Sequence, residues 1–215
     1  MTSRRSSPGP RKRIASNPPM PLWQAAVAFA FRAHRHQFRK DGATPYSSHL
    51  MRVVLTVTEI FGCRDEEVIA IAVLHDTIED TTTDYDDLLE RFGKNVADGV
   101  AALTKNMAME EAAREAEYDA RLAKASWGVR LVKLADSYDN LCDIPNLRVD
   151  PTLAGRKALG PSTERAIARA RRAIALATPD AAQHQETRTA IVAISKLIDS
   201  GDSDSRPHRS KRSRG

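Results

Sequence analysis

Aromatic residues make up only 5% of this chain, and cysteine occurs twice. A core with so few rings must rest on Ala, Leu, Val and Ile, a composition that favours helix. Cys63 and Cys142 are too few for a disulfide framework or a thiolate cage for a metal, and they read as reduced thiols of a cytoplasmic protein. No apolar run reaches the length of a secretory leader or a membrane span, so neither a membrane partner nor a secreted setting is expected. No stretch alternates polar and apolar residues long enough to suggest a strand, and no internal repeat appears.

Negative charge is what the two ends lack. Residues 1–13 carry five basic groups and no acid, and residues 201–215 carry five basic groups against Asp202 and Asp204. Since the whole chain is only +5, residues 14–200 carry −3. The basic character therefore belongs to the ends. Ser, Arg, Gly and Pro dominate there with little to bury, so 1–17 and 199–215 read as disordered basic tails. They offer a possible contact to nucleic acid or another acidic surface, secondary to the function of the domain between them.

What is present is helical punctuation. Pro-rich NPPMP leads into an expected helix over 21–38, and KDGATPY at 40–46 reads as a turn. Ser47 or Ser48 caps the next helix, whose stripe is Leu50, Val53, Val54, Val57 and Ile60, ending at Gly62. Asp65 caps EEVIAIAVLHDTIED, read as one continuous segment, and YDDLLERFG and NVADGVAALTK follow. Residues 108–126 read as a solvent-facing helix, and VRLVKLADSYDNL as helix despite its valines. Residues 145–160 form a Pro- and Gly-punctuated crossing before helices at 162–177 and 181–198. The expectation is an all-α domain of about eight or more helices over 18–198, with its motifs in 20–145.

VLHDTIEDT, residues 73–81, sets ionisable groups at the end of an apolar run. Burying them is costly unless they are paired. His49, His75 and Asp76 are imidazole and carboxylate donors suited to a borderline divalent metal, and Asp136 in VKLADSYDN ends its apolar run in the same way. Adjacent His75 and Asp76 diverge by about 100° on a helix, so they can share an ion only at its edge. Asn140 lies one turn beyond Asp136. Glu79 and Asp80 could position water or move its proton. On spacing alone they are equally a solvated helix end, and Asp136 with Asn140 equally a hydrogen-bonded pair.

Four motifs in order, HRHQFRKDGATPYSSH, VLHDTIEDTTTDYDDLLERFG, ALTK and VKLADSYDN, resemble the hydrolase domain of the RelA/SpoT family. That family lies within the HD superfamily of metal-dependent phosphohydrolases, and the chain is similar to its small stand-alone members, those of metazoans included. The resemblance implies His49, His75, Asp76 and Asp136 as ligands of one Mn2+ ion, with Glu79 and Asp80 as the carboxylates needed for hydrolysis. Arg39 resembles the arginine that stacks on guanine, Lys40 its basic neighbour, and Asn140 an asparagine lining the nucleotide site. Tyr46 and Ser47 fall near the same pocket, while His34 matches a family histidine better read as structural. The implied reaction is hydrolysis of guanosine tetra- or pentaphosphate at the ribose 3′ position to GDP or GTP and pyrophosphate, with no synthetase domain.

This chain departs from the family pattern at Leu50 in place of Pro, at Ser137 after Asp136, at Asp139 before Asn140 and at Cys142. Ser137 and Cys142 stand where basic or longer side chains are usual, which implies a weaker positive wall in the pocket. Two other readings use the same residues: a different HD phosphohydrolase acting on a nucleotide or on NADPH, and a non-enzymatic nucleotide or nucleic-acid binder.

Overall fold

The computed structural model describes residues 20–149 and 160–204. The tail expected at 1–17 and the residues beyond 204 lie outside the described residues, as do 150–159 of the expected crossing. Ten α-helices make up the described fold, with an isolated antiparallel bridge between Phe38 and Pro45 as its only extended pairing. The all-α expectation holds.

α1 (Leu22–Ala33) buries Ala26 and Ala30, spaced by four, against α3. It stops at His34 rather than at 38, because the following residues are used to close a hairpin-like turn. Gln37 accepts the backbone N–H of Tyr46 on its carbonyl at 2.9 Å, and Arg39 donates to Thr44 at 2.8 Å. Asp41 holds the tip by accepting from the backbone of Ala43 and Thr44, both at 2.9 Å. Gly42 takes the left-handed conformation there (φ 75°).

α2 (Ser47–Leu55) buries His49, Leu50, Val53 and Val54. It runs into a π-helical turn, Thr56–Ile60, closed by the Phe61 N–H on the Thr56 carbonyl. That turn inserts one residue into the helical repeat. Phe61, 2% exposed, therefore takes the core position expected of Ile60, which is 40% exposed.

α3 (Glu66–Leu74) starts where Asp65 accepts from the N–H groups of Glu67 and Val68. It is the central element, buried from Ala70 to Leu74 and packed against α1, α2, α6 and α8. The segment expected to be continuous breaks at His75 and Asp76, and the short α4 (Thr77–Asp80) follows the break. α5 (Tyr85–Phe92) opens on a capping box made by Asp84 and Asp87, and α6 (Lys94–Leu103) follows Gly93.

α7 (Glu111–Lys124) is more than a solvated helix, since Tyr118 and Leu122 are buried. α8 (Trp127–Val149) confirms helix for the valine-rich run and carries VKLADSYDN across α2, α3 and α6. It continues into the expected crossing. α9 (Gly160–Ala177), a 3₁₀ turn (Thr178–Ala182) and α10 (Gln185–Asp204) close the outer side of α8. α10 continues to Asp204, past the end expected at 198. Arg130 binds this layer to the rest by pairing with Asp180 through two nitrogens, at 2.6 and 2.7 Å.

Close helix approach depends on absent side chains. A Cβ on Gly99 would lie 2.4 Å from Ile71 Cδ1 and 3.3 Å from Val129 Cγ2, where α6 meets α3 and α8. Overpacking of this kind typically costs about 1–3 kcal/mol. Gly99→Ala should lower the unfolding free energy read from urea titration by an amount in that range, while a surface change such as Glu90→Ala leaves it in place.

Candidate active site

His49 from α2, His75 and Asp76 from the α3–α4 break, and Asp136 from α8 converge on one point. His49 Nε2 lies 3.5 Å from Asp76 Oδ2 and 3.5 Å from Asp136 Oδ1. His75 Nε2 lies 3.0 Å from Asp76 Oδ2 and 4.0 Å from Asp136 Oδ1. Donors bound at about 2.0–2.2 Å to one ion stand roughly 3–3.5 Å from each other, so little movement is needed to fill the point with a cation.

The break makes this possible. Asp76 leaves the helical region (φ −101°, ψ 0°), a conformation common at active sites. Two neighbours that diverge on a regular helix can then face the same place.

The buried polar atoms call for a positive charge. His75 is 3% exposed, and its Nε2 makes no properly directed hydrogen bond although Asp76 stands beside it. Its Nδ1 donates to the Ala72 carbonyl at 2.8 Å, leaving the Nε2 lone pair for a ligand. Burial lowers the His75 pKa, but the carboxylates of Asp76 and Asp136 outweigh it and push the ring up to about 9. The two imidazoles and the Asp136 carboxylate bring ligand atoms within 4.8 Å of one another, a donor set that fits a divalent metal, and Asp76 Oδ2 stands beside both rings.

Glu79 and Asp80 flank the cluster on α4. The Glu79 Oε2 accepts the Lys105 backbone N–H at 2.8 Å, and burial raises its carboxyl above the ordinary glutamate range. Burial and the nearby Asp76 likewise raise Asp80. The Tyr46 hydroxyl lies 2.5 Å from Asp76 Oδ2 and 3.1 Å from Asp80 Oδ2, and its one proton can serve only one of them at a time. His34 stacks on the Tyr46 ring with centroids 5.0 Å apart, a supporting position behind the site.

All of these groups except His34 line one cavity of about 800 Å³. Arg39, Lys40 and Asn140 line it too, while Ser47 lies in the first turn of α2 and does not. The Arg39 guanidinium donates to Asp143 at 2.8 and 3.2 Å and to Asn140 at 3.2 Å, and lies 5.7 Å from the Tyr46 ring centre.

The basic wall is the part sequence reading missed. Lys133 pairs with Asp136 at 2.8 Å, and both Lys133 and Lys105 stand near the Tyr118 ring, 5.7 and 4.9 Å from its centre. Lys105 pairs with Glu115 at 2.5 Å, and Arg114, Arg165 and Arg169 also line the cavity. The weak wall expected from Ser137 and Cys142 is thus corrected: cations from α7, α8, α9 and the α6–α7 loop supply it. The prior signals were the lysines of ALTK and VKLADSYDN, to which no role was given, and the several arginines within 162–177.

Residues 26–159 match the family model described as HD domain. The chain is 35% identical over 128 residues to guanosine-3′,5′-bis(diphosphate) 3′-pyrophosphohydrolase MESH1 of Drosophila melanogaster, covering 59% of this chain and 71% of that one. It is 38% identical over 120 residues to the human MESH1, covering 55% and 67%. The 3′-pyrophosphohydrolase of Aquifex aeolicus is 40% identical over 121 residues, covering 55% of this chain but 17% of that longer one. A solved structure of a metazoan ortholog of SpoT that hydrolyzes ppGpp superposes with a TM-score of 0.71 at 24% identity, covering 87% of this chain and 98% of that one, which shows the shared fold.

Proposed function

We propose that this chain, which belongs to the HD-domain family, is a divalent-metal-dependent guanosine-3′,5′-bis(diphosphate) 3′-pyrophosphohydrolase. One observation carries the reading. A cation-demanding cluster of two histidines and two aspartates shares a cavity with a wall of basic side chains that runs from Lys133 through Lys105 to Arg165 and Arg169. A nucleotide with phosphates on both sides of its ribose needs both features. The relatives' activity supports the same substrate class.

His49, His75, Asp76 and Asp136 hold the ion, which we take to be Mn2+. When bound, it supplies positive charge against phosphoryl oxygens and an acidified water. Water adds to the phosphorus on O3′, the P–O3′ bond breaks, and O3′ leaves with a proton, giving GDP and pyrophosphate. Glu79 takes the proton from the water, held in place through Lys105. Asp80, sharing the Tyr46 hydroxyl with Asp76, orients the water and returns a proton to O3′. Arg39 offers a guanidinium plane to guanine beside Asn140, with Lys40 and Tyr46 bordering the same site. Ser47, away from the cavity, takes no direct role in this reading.

We assign the activity to the domain that begins near residue 18 and carries α10 as its last helix, with the basic ends outside it. Among the described residues no helix is long and apolar enough to cross a membrane, and Cys63 and Cys142 are free thiols. Both fit a cytoplasmic setting.

A substrate panel tests the reading. Guanosine tetraphosphate should yield pyrophosphate, while GTP and NADPH yield little inorganic phosphate. Phosphate release from NADPH with no cleavage of guanosine tetraphosphate would reassign the site to another HD phosphatase. Removing the outer cations together, Arg165→Ala with Arg169→Ala, should raise KM about tenfold while kcat changes little.

A further inference from the structure

The two histidines of the cluster are supported in different ways. His75 gives its Nδ1 proton to a neutral backbone carbonyl, that of Ala72. His49 faces a carboxylate instead: its Nδ1 lies 2.6 Å from Asp139 Oδ2. Asp139 is 3% exposed, a depth at which an unpaired carboxylate is costly. Arg52 removes that cost, donating Nε to Oδ1 at 2.5 Å and Nη2 to Oδ2 at 3.0 Å.

The arrangement repeats on both helices. His49 and Arg52 are three residues apart on α2, and Asp136 and Asp139 three apart on α8. Each helix thus carries one residue of the cluster and, almost one turn further, one residue that braces it. The brace also reaches the nucleotide side. Arg52 Nη2 lies 3.5 Å from Asp143 Oδ1, and Asp143 Oδ2 receives Arg39 at 2.8 Å.

We infer that Asp139, clamped by Arg52, is a positioning residue that fixes the tautomer and ring plane of His49 and so sets the affinity of the cluster for a divalent ion. The physical reason is proton placement. An imidazole binds a metal only through a nitrogen that carries no proton. The Asp139 carboxylate accepts only from an N–H, which keeps the proton on Nδ1 and leaves the Nε2 lone pair facing Asp76 and Asp136. Carboxylate support also makes the ring a stronger donor than carbonyl support does. Arg52 fixes the orientation of the Asp139 carboxylate through two N–H donors, one on each oxygen. This inference rests on the metal-dependent reading of the cluster.

The test is calorimetric titration of chelator-treated full-length protein with Mn2+ alone, on wild type, His49→Ala, Asp139→Asn and Arg52→Gln. Asp139→Asn should weaken ion binding by about 10–100-fold, the usual effect of removing a support of this kind. Arg52→Gln should weaken it several-fold. In the ion-free protein, the downfield proton resonance of His49 Nδ1 should disappear in Asp139→Asn, a change that loss of packing alone does not produce in a protein that still melts cooperatively.

His49→Ala separates the two claims. If it binds Mn2+ as wild type does, the metal reading of the cluster fails and the inference falls with it. If His49→Ala loses the ion while Asp139→Asn keeps wild-type affinity and the Nδ1 resonance, the metal reading stands and the role of Asp139 is overturned. Should Asp139→Asn not fold, Arg52→Gln decides: weakened binding supports the inference, and wild-type affinity overturns it.

Discussion

Asp76→Ala is expected to abolish turnover and ion binding together. Asp76 Oδ2 is the atom both histidines face, 3.0 Å from one and 3.5 Å from the other. Its carboxyl lies well below the ordinary aspartate range because the His75 and His49 rings outweigh the effect of burial. Removing it takes away half the negative charge that makes the point attractive to a cation. It also frees the Tyr46 hydroxyl, leaving Asp80 as the remaining acceptor at that oxygen. The loss is several kcal/mol of transition-state stabilisation, on the order of 10³-fold or more in rate. Calorimetry with Mn2+ and a turnover assay on the same preparation check it. Retained ion affinity with lost turnover would move Asp76 from ligand to proton handling.

Glu79→Gln is expected to lower kcat by about 10²–10⁴-fold while the ion stays bound. Gln keeps the acceptor for the Lys105 N–H and loses only the ability to take a proton. The stability effect has a definite sign. Burial raises the Glu79 carboxyl above 4.5, so the fold favours its neutral form. The stabilisation this group gives is complete at low pH and is lost as pH rises through its folded-state value. At neutral pH the charged carboxylate is therefore a cost that Gln removes, and the melting temperature should hold or rise slightly. In wild type the acid limb of kcat should lie above pH 4.5, because the base must be unprotonated to act. A Glu79→Gln enzyme that loses its ion instead makes Glu79 a ligand.

The helical class was legible because Ala, Leu and Val recur at helical spacing and nothing alternates. Three local features were not. α1 ends at His34 because distant atoms, the Gln37 carbonyl and Tyr46 N–H among them, compete for the next turn. The π-helical turn exchanges Ile60 for Phe61 in the core, a choice made by packing rather than by either residue's propensity. The break at Asp76 has no glycine or proline to announce it.

The chemistry was legible unevenly. His49, His75, Asp76 and Asp136 stand in motifs that resemble a known hydrolase family, and the fold brings all four together. Arg52 carried no such mark, and Asp139 stood in VKLADSYDN only as a departure before Asn140. Each reads singly as a surface charge, and only the pairing of α2 with α8 turns their shared spacing into a brace. Lys105 stood in ALTK without a role, and Arg114, Arg165 and Arg169 were hidden, since their common cavity is a property of tertiary structure.

The most direct measurement is product analysis of guanosine tetraphosphate incubated with chelator-treated protein, before and after Mn2+ is restored, alongside Asp76→Ala. The account predicts GDP and pyrophosphate in equal amounts from the restored wild type, and neither from the ion-free protein or the variant. Intact guanosine tetraphosphate in every sample, with the wild type folded and Mn2+ bound, would contradict it.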